Sequence, residues 1–296
     1  MSRILTLHAP AKINLTLRVG PRRDDGFHDV RTLLQSIALA DTLKLTTRKG
    51  PFVLVTRTPG VPSDRTNLVW RAAELLWRAI GRTGDPRDVH ARLEKSIPTE
   101  AGLGGGSADA AATLAGLNVL WEARRSRRDL ARLGAELGAD VPFFLHGGTA
   151  LGSGRGDELY PVDDVGRLGI VVIKPSFGVA TAAAYGWVDE DRAANLPAAA
   201  RALPEIDVGW PTGPIRLVND LEAPVARRHP MITEMVDALR REGAQGAAMT
   251  GSGSAVFGVF SEAQAKRAAR RLQRPDWLIC LSRTLARREA SRRIGL

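Results

Sequence analysis

With 296 residues the chain is long enough for one large domain or two ordinary ones, either able to bury a core. Its 44 % hydrophobic and 25 % charged residues are those of a globular protein in water, and no run approaches the roughly 18 apolar residues of a membrane helix. The net charge of +10 raises a nucleic-acid reading, yet aromatic residues make up only 5 % and do not interleave with basic ones as a single-strand platform requires, so the charge reads as a solvated surface that steers anionic ligands.

Near the start, Ile13, Leu15, Leu17 and Val19 alternate with Lys12, Asn14, Thr16 and Arg18. That is the period of a half-buried strand whose polar face carries Lys12 and Asn14 side by side. Asp24-Asp25-Gly26 supplies a turn, Phe27-His28 follows, and a second strand is expected over 33–39. Alternation returns at Leu43 and Leu45 and again from Phe52 to Val55. Asn67 is placed to cap a helix reaching Ile80, with Gly81 to end it. Val89, Ala91 and Leu93 alternate, so Lys95 stands at the end of a strand that enters a glycine-rich segment.

A helix is expected from Ser107 to Trp121, and another from Asp129 to Leu137 with Gly138 as its stop. Asp140-Val-Pro-Phe-Phe-Leu-His146 and Gly147-Gly148 then lead into a short strand. Further on, the pattern predicts a strand over 168–173, an Ala-rich helix, a helix near Ile232 to Arg241 and a strand from Ala255 to Phe260. A helix from Ala263 and a strand near Trp277 to Leu281 complete the chain. Strands and helices mix without the regular alternation of a doubly wound sheet, so the fold class is α+β in two domains. Gly152-Ser-Gly-Arg-Gly156 and the polar run to Asp164 divide them into 1–156 and 157–296. No repeat of fixed period is present.

The segment Pro98-Thr99-Glu100-Ala101-Gly102-Leu103-Gly104-Gly105-Gly106-Ser107-Ala108 joins the strand to the helix. Glycines there admit positive φ and close backbone approach, and N–H groups converging at a helix N-terminus suit phosphate oxygens. A flexible loop or tight helix–strand packing is the plainer alternative. Known phosphate motifs fail on spacing: no Gly-Lys pair occurs, so there is no P-loop. The dinucleotide fingerprint would need glycine at Ser107 or at Asp109, and protein-kinase signatures are absent.

Pro98-x-x-x-Gly102-Leu-Gly-Gly-Gly-Ser-Ala108 resembles the phosphate loop of the GHMP kinases (galactokinase, homoserine kinase, mevalonate kinase and phosphomevalonate kinase). Ala9-Pro-Ala-Lys-Ile-Asn14 and Met249-Thr-Gly-Ser-Gly-Ser-Ala-Val-Phe257 are similar to that superfamily's outer motifs. Asp25-Gly-Phe-His28, Gly138-Ala-Asp-Val-Pro-Phe-Phe144 and Asn219-Asp220-Leu221 resemble the branch that acts on a diphosphocytidyl-linked methylerythritol, and the motifs together span nearly the whole chain. Phe27 departs from that pattern, which often has tyrosine there, and Thr99-Glu100 stands where small or apolar residues are common.

The resemblance implies a two-domain fold with the active site in the cleft, and ATP with Mg²⁺ as the phosphoryl donor. It implies phosphorylation of the 2-hydroxyl of 4-diphosphocytidyl-2-C-methyl-D-erythritol, a step of non-mevalonate isoprenoid precursor synthesis. No nucleic-acid or membrane partner is expected. By carry-over, Lys12 is the cation for the transferred phosphoryl group and Asp140 the general base. Without the resemblance they read as a strand-end lysine and an N-cap. Lys95 and the glycine-rich segment are assigned to ATP, with Ser107 also able to cap the helix. His28 is assigned to the cytosine edge, Phe27 and Tyr185 to its faces, Asn14 and Thr181 to the methylerythritol phosphate, and Gly251 and Ser252 to the cleft wall. A turn histidine and a core tyrosine are the plainer readings of His28 and Tyr185. No metal ligand is named beyond Ser107 as first candidate; Asp109, Asp220 and Glu222 read as structural or solvated. Cys280, the only cysteine, reads as a buried strand residue and suits a reducing cytoplasm, and the first ten residues do not read as a signal peptide.

Overall fold

The computed structural model of the protein describes residues 2–194 and 216–296. The chain opens with two long strands, β1 (Ile4–Arg22) and β2 (His28–Pro51), joined by the turn at Asp24-Asp25-Gly26. It continues through β3 (Val53–Thr56), α1 (Leu68–Ala79), β4 (Arg87–Glu94), α2 (Gly105–Leu120), α3 (Arg127–Leu137) and α4 (Val141–His146). A hairpin of β5 (Thr149–Ser153) and β6 (Glu158–Pro161) precedes β7 (Gly169–Pro175) and α5 (Thr181–Ala193). The rest is β8 (Val218–Asn219), α6 (Glu222–Arg228), α7 (Met231–Arg241), β9 (Gly246–Met249), β10 (Val256–Phe260), α8 (Glu262–Arg271), β11 (Trp277–Arg283) and α9 (Arg287–Arg293).

Two sheets result. The larger runs β3-β4-β2-β1-β8, with β5 and β6 added to the first half of β2; the smaller runs β11-β7-β10-β9. The expected strands at 33–39 and 43–45 are one 24-residue strand, long enough to pair with β1 on one edge and with β5 and then β4 on the other. One apolar core lies between the larger sheet and α1 to α4, and a second wraps the smaller sheet with α5 to α8. A third joins the sheets themselves: Ala11, Ile13, Leu15, Leu33 and Ile37 meet Ile170, Val172, Phe257 and Val259.

That third core corrects the reading of β1. The β1–β2 pairing shifts register between Pro10 and Ala11. Before the shift, Leu7 and Ala9 belong to the helix-side core; after it, Ala11, Ile13 and Leu15 belong to the core between sheets. Register shifts re-aim side chains in this way. The alternating residues Lys12 and Asn14 are therefore buried, each 4 % exposed, and not on a solvent face.

The capped helices follow their sequence signals closely. Asn67 Oδ1 accepts from Val69 N at 2.9 Å, and Gly81 has φ +77° just past the helix. α3 begins at Arg127 and not at Asp129, because Ser126 and Asp129 form a capping box that consumes the aspartate in the first turn. α2 begins two residues before Ser107, with Gly104 at its N-cap. The glycine run at 152–156 lies in the β5–β6 hairpin, and both its strands stay in the larger sheet. From later in the chain β8 also pairs with β1 in that sheet, and α9 packs on it through Ile294. A cut at 156 therefore runs through one sheet. Cys280 is half-buried on β11, its thiol pushed up by burial.

Candidate active site

A cleft of about 1120 Å³ opens between the glycine-rich loop at 98–108 and α5 and gathers side chains from both halves of the chain. Its floor is the N-terminus of α2. Gly104 takes φ +72° and supplies no capping side chain, so the first-turn N–H groups remain the orphan donors of every helix start. The space beside Gly104 explains the glycine: a Cβ there would lie 2.7 Å from the Phe144 ring and 3.1 Å from Lys12 Cγ. Ser107 therefore sits inside the first turn and is not the cap expected from its position.

The loop is held by the second half of the chain. A Cβ on Gly102 would come 2.1 Å from the Thr250 carbonyl oxygen, so only glycine lets the two backbones touch. Ala255 N and Ser254 N donate to the carbonyls of Ala101 and Glu100 at 3.3 Å, and Lys12 N donates to Leu103 O at 3.0 Å. Asn219 Nδ2 donates to Met249 O and Gly251 O, both at 2.8 Å, and Glu222 accepts from Met249 N at 2.7 Å. Asp220 accepts from Val19 N and Arg18 at 3.0 Å each. Asn219 and Glu222 thus shape the loop's neighbour, and Asp220 ties the segment after β8 to β1. The Glu100 carboxylate lies against Gly178, where it partly offsets the downward pull of burial on Lys174.

Lys12 Nζ donates to Asn14 Oδ1 at 2.7 Å and lies 3.6 Å from Asp140 Oδ2. Asn14 in turn donates to Thr32 Oγ1 at 2.8 Å, and its backbone N donates to Thr250 Oγ1 at 3.1 Å. The Asn14 amide is thereby committed to orienting Lys12. Asp140 stands at the N-cap position of α4 but makes no capping hydrogen bond with its side chain, and its carboxylate is 39 % exposed to the cleft. The plainer capping role is therefore not the one it plays.

Lys95 also lines the cleft, but its ammonium is held between Asp41 and Asp109, at 2.6 Å from the latter. Burial pulls Lys95 down, and the two carboxylates more than offset it, leaving it above its ordinary value. Burial pushes Asp109 up to about 8 against the pull of Lys95, with Asp41 adding to the rise.

At the opposite end stand Phe27, His28 and Tyr185. His28 is 7 % exposed with its ring 5.2 Å from that of Tyr185, while Phe27 is 55 % exposed beneath the Arg155 guanidinium. Burial, with the Asp140 charge adding to it, pushes the Tyr185 hydroxyl well up. Thr181 Oγ1 and Ser252 Oγ lie 3.1 Å apart across the cleft wall, beside Gly251. The structure thus brings every residue assigned from the sequence to catalysis, ATP or substrate, except Ala108, to one cleft lining; Ala108 is buried in the first turn of α2 behind it. Sequence reasoning missed Asp189, whose Oδ1 lies 2.9 Å from His28 Nε2, and the segment Gly60 to Pro62 with Leu68. Nothing local signals them: Asp189 is one acid among several on a helix, and the other segment carries no motif.

Comparison with known proteins agrees with the geometry. The model for the GHMP kinases N terminal domain matches residues 67–148, spanning the phosphate loop, and that for the GHMP kinases C terminal matches 199–275. A 4-diphosphocytidyl-2-C-methyl-D-erythritol kinase of Moorella thermoacetica is 46 % identical over 287 residues, covering 95 % of this chain and 99 % of its own. A solved 4-(cytidine 5'-diphospho)-2C-methyl-D-erythritol kinase superposes with TM-score 0.77 at 36 % identity, over 96 % of this chain and 99 % of that one. Homoserine kinase of Cytophaga hutchinsonii shares the fold at TM-score 0.68 and 18 % identity, over 97 % and 96 % of the two chains. Identity of this order over the full length, with family models on both sides of the cleft, makes this chain a small-molecule kinase belonging to the GHMP kinases.

Proposed function

We propose that the enzyme transfers the γ-phosphoryl group of ATP to the 2-hydroxyl of 4-diphosphocytidyl-2-C-methyl-D-erythritol, in the cytoplasm, as a step toward isoprenoid precursors. The observation that carries the reading is the Lys12–Asp140 pair, 3.6 Å apart at the mouth of the phosphate loop, in the same cleft as His28. The names of the full-length relatives support the acceptor. Among the described residues no helix is long and apolar enough to cross a membrane.

In this reading the loop from Pro98 to Ala108 cradles the phosphates on the α2 N-terminus, and the nucleoside end lies toward Val61 and Leu68. The Asp140 carboxylate takes the 2-hydroxyl proton as the new O–P bond forms and the bond to the β-phosphate oxygen breaks. Lys12, oriented by Asn14, faces the charge on the moving phosphoryl oxygens. His28 meets the cytosine edge with Phe27 and Tyr185 toward its faces, and Thr181, Ser252 and Gly251 line the path of the acceptor.

Among the described residues no group of three or more His, Cys, Asp or Glu is arranged to hold a metal ion. Mg²⁺ usually enters kinase sites carried mainly by substrate phosphates and water. Ser107, which lines the cleft, is the side chain at hand to complete its shell. When bound, the ion would offset the negative charge of the triphosphate.

An ADP-release assay with ATP tests the proposal by comparing the cytidyl substrate with homoserine and mevalonate. Turnover with the cytidyl substrate alone is expected. Turnover only with homoserine or mevalonate overturns the acceptor and keeps the kinase.

A further inference from the structure

The His28–Asp189 contact belongs to neither the phosphate loop nor the Lys12–Asp140 pair. Asp189 Oδ1 lies 2.9 Å from His28 Nε2, across 161 residues of chain. The histidine is nearly buried, and the Asp189 side chain is 35 % exposed on the cleft side. Helix α5 builds the contact. Tyr185, Asp189 and Arg192 stand at positions i, i+4 and i+7, which share one helix face. Tyr185 places its ring 5.2 Å from that of His28. Arg192 donates to the carbonyls of Gly20, at 2.7 Å, and Val19, tying the helix to the end of β1 where the chain turns toward His28.

A carboxylate only accepts hydrogen bonds, so the Nε2 facing Asp189 carries the proton. In the neutral ring Nδ1 is then an acceptor, and it is the polar ring atom left to offer a ligand. A cytosine presents the N4 amino donor on its pairing edge, where uracil presents the O4 acceptor. An Nδ1 acceptor complements the first and opposes the second. A histidine without its carboxylate can switch tautomer and donate from Nδ1, accepting either base.

We infer that Asp189 is a positioning residue that locks His28 as its Nε2–H tautomer and so makes the base site select cytosine over uracil, an inference that rests on the proposed reading of His28. The carboxylate acts through the imidazole and takes no part in phosphoryl transfer.

The test uses the full chain with the cytidyl substrate and its uridyl counterpart, in wild type, Asp189→Ala, Asp189→Glu and His28→Ala. The Asp189→Ala change should raise KM for the cytidyl substrate about tenfold, the worth of one hydrogen bond, with kcat changed far less. The ratio of kcat/KM between the two substrates should fall toward one, and Asp189→Glu should restore part of it. Long-range ¹H–¹⁵N spectra of labelled histidine, assigned with His28→Ala, should show an Nε2–H ring in wild type and a tautomer mixture in Asp189→Ala. A wild-type ring protonated at Nδ1, or one protonated at both nitrogens at neutral pH, overturns the inference. So does undiminished selectivity in Asp189→Ala when His28→Ala has lost it. If His28→Ala leaves the cytidyl KM unchanged, the base-site reading itself fails and the inference falls with it.

Discussion

Gly102→Ala is a stringent test of how the glycine-rich loop is held. The residue has φ +72°, a left-handed conformation that costs a residue with a Cβ about 1–2 kcal/mol. The added carbon would also sit 2.1 Å from Thr250 O, 3.0 Å from Thr250 C and 3.2 Å from Gly253 N, all backbone atoms that no rotamer change can move aside. Forcing such a contact typically adds about 1–3 kcal/mol. Together these lower stability by about 2–5 kcal/mol, or roughly 3–8 °C in unfolding midpoint for a chain of this size. The relief available is to part the loop at 100–103 from the loop at 250–254, and Lys12, hydrogen-bonded to Leu103 O, moves with the former. A displacement near 1 Å at the transferring group costs about a hundredfold in turnover. The assay pairs calorimetric unfolding with ADP-release kinetics. Gly186→Ala serves as the control, since it lies in α5 with nothing within 4 Å of its added carbon. An unfolding midpoint and ATP kinetics for Gly102→Ala equal to those of wild type would refute the account of the loop contact.

The control carries its own expectation: Gly186→Ala should raise the unfolding midpoint slightly, by about 0.5–1 kcal/mol of backbone entropy, and a lowered midpoint counts against an open helix surface there. Asp140→Asn should abolish turnover while nucleotide affinity by calorimetric titration stays within a few fold, because the carboxylate makes no capping hydrogen bond that its loss would break. Near-wild-type turnover would remove Asp140 from proton transfer. Asp109 is raised from an ordinary carboxylate value to about 8, so the folded state keeps a proton that the unfolded chain has released. Stability from this group is greatest below about pH 4 and falls as pH rises toward 8, by on the order of 1 kcal/mol per pH unit at most. Asp109→Asn has no such proton to lose, and its midpoint between pH 5.5 and 9 should fall less steeply than that of wild type; parallel profiles would place the titration elsewhere.

The elements most legible from the chain were those with a mechanism in a few adjacent residues. Asn67 and Gly81 mark both ends of α1, and Gly138 marks the end of α3, because caps are local chemistry. β8, two residues long, and α6, of seven residues, are too short to carry a period and went unseen. At the site, Lys12 and Asp140 stood out through motifs, and their 3.6 Å pairing follows once β1 and α4 flank the start of α2. Asp189 and the Asp41–Lys95–Asp109 cluster depend instead on which distant elements meet. No composition or spacing within α5 distinguishes Asp189 from its neighbours Glu190 and Asp191, of which Asp191 pairs with Arg227 and Arg228.

Burial is the quantity that alternation misjudged, and the misjudgement has a single physical cause. A strand with one polar face is read as lying on water, but β1 is covered on both sides over its central residues. Polar groups kept there must find partners, since an unpaired one costs several kcal/mol. Lys12, Asn14, Thr32 and Thr250 satisfy one another, and the carboxylate of Asp140 completes the charge. Buried polar residues far from the cleft behave differently: Gln35 and Thr149 close on each other and on the Leu285 carbonyl, and their bonds end in protein. Around Lys12 the bonds end at a half-exposed carboxylate facing an open cleft. Polar burial that terminates in open space, and not polar burial itself, is therefore what sets the Lys12 cluster apart from the Gln35–Thr149 pair in this fold.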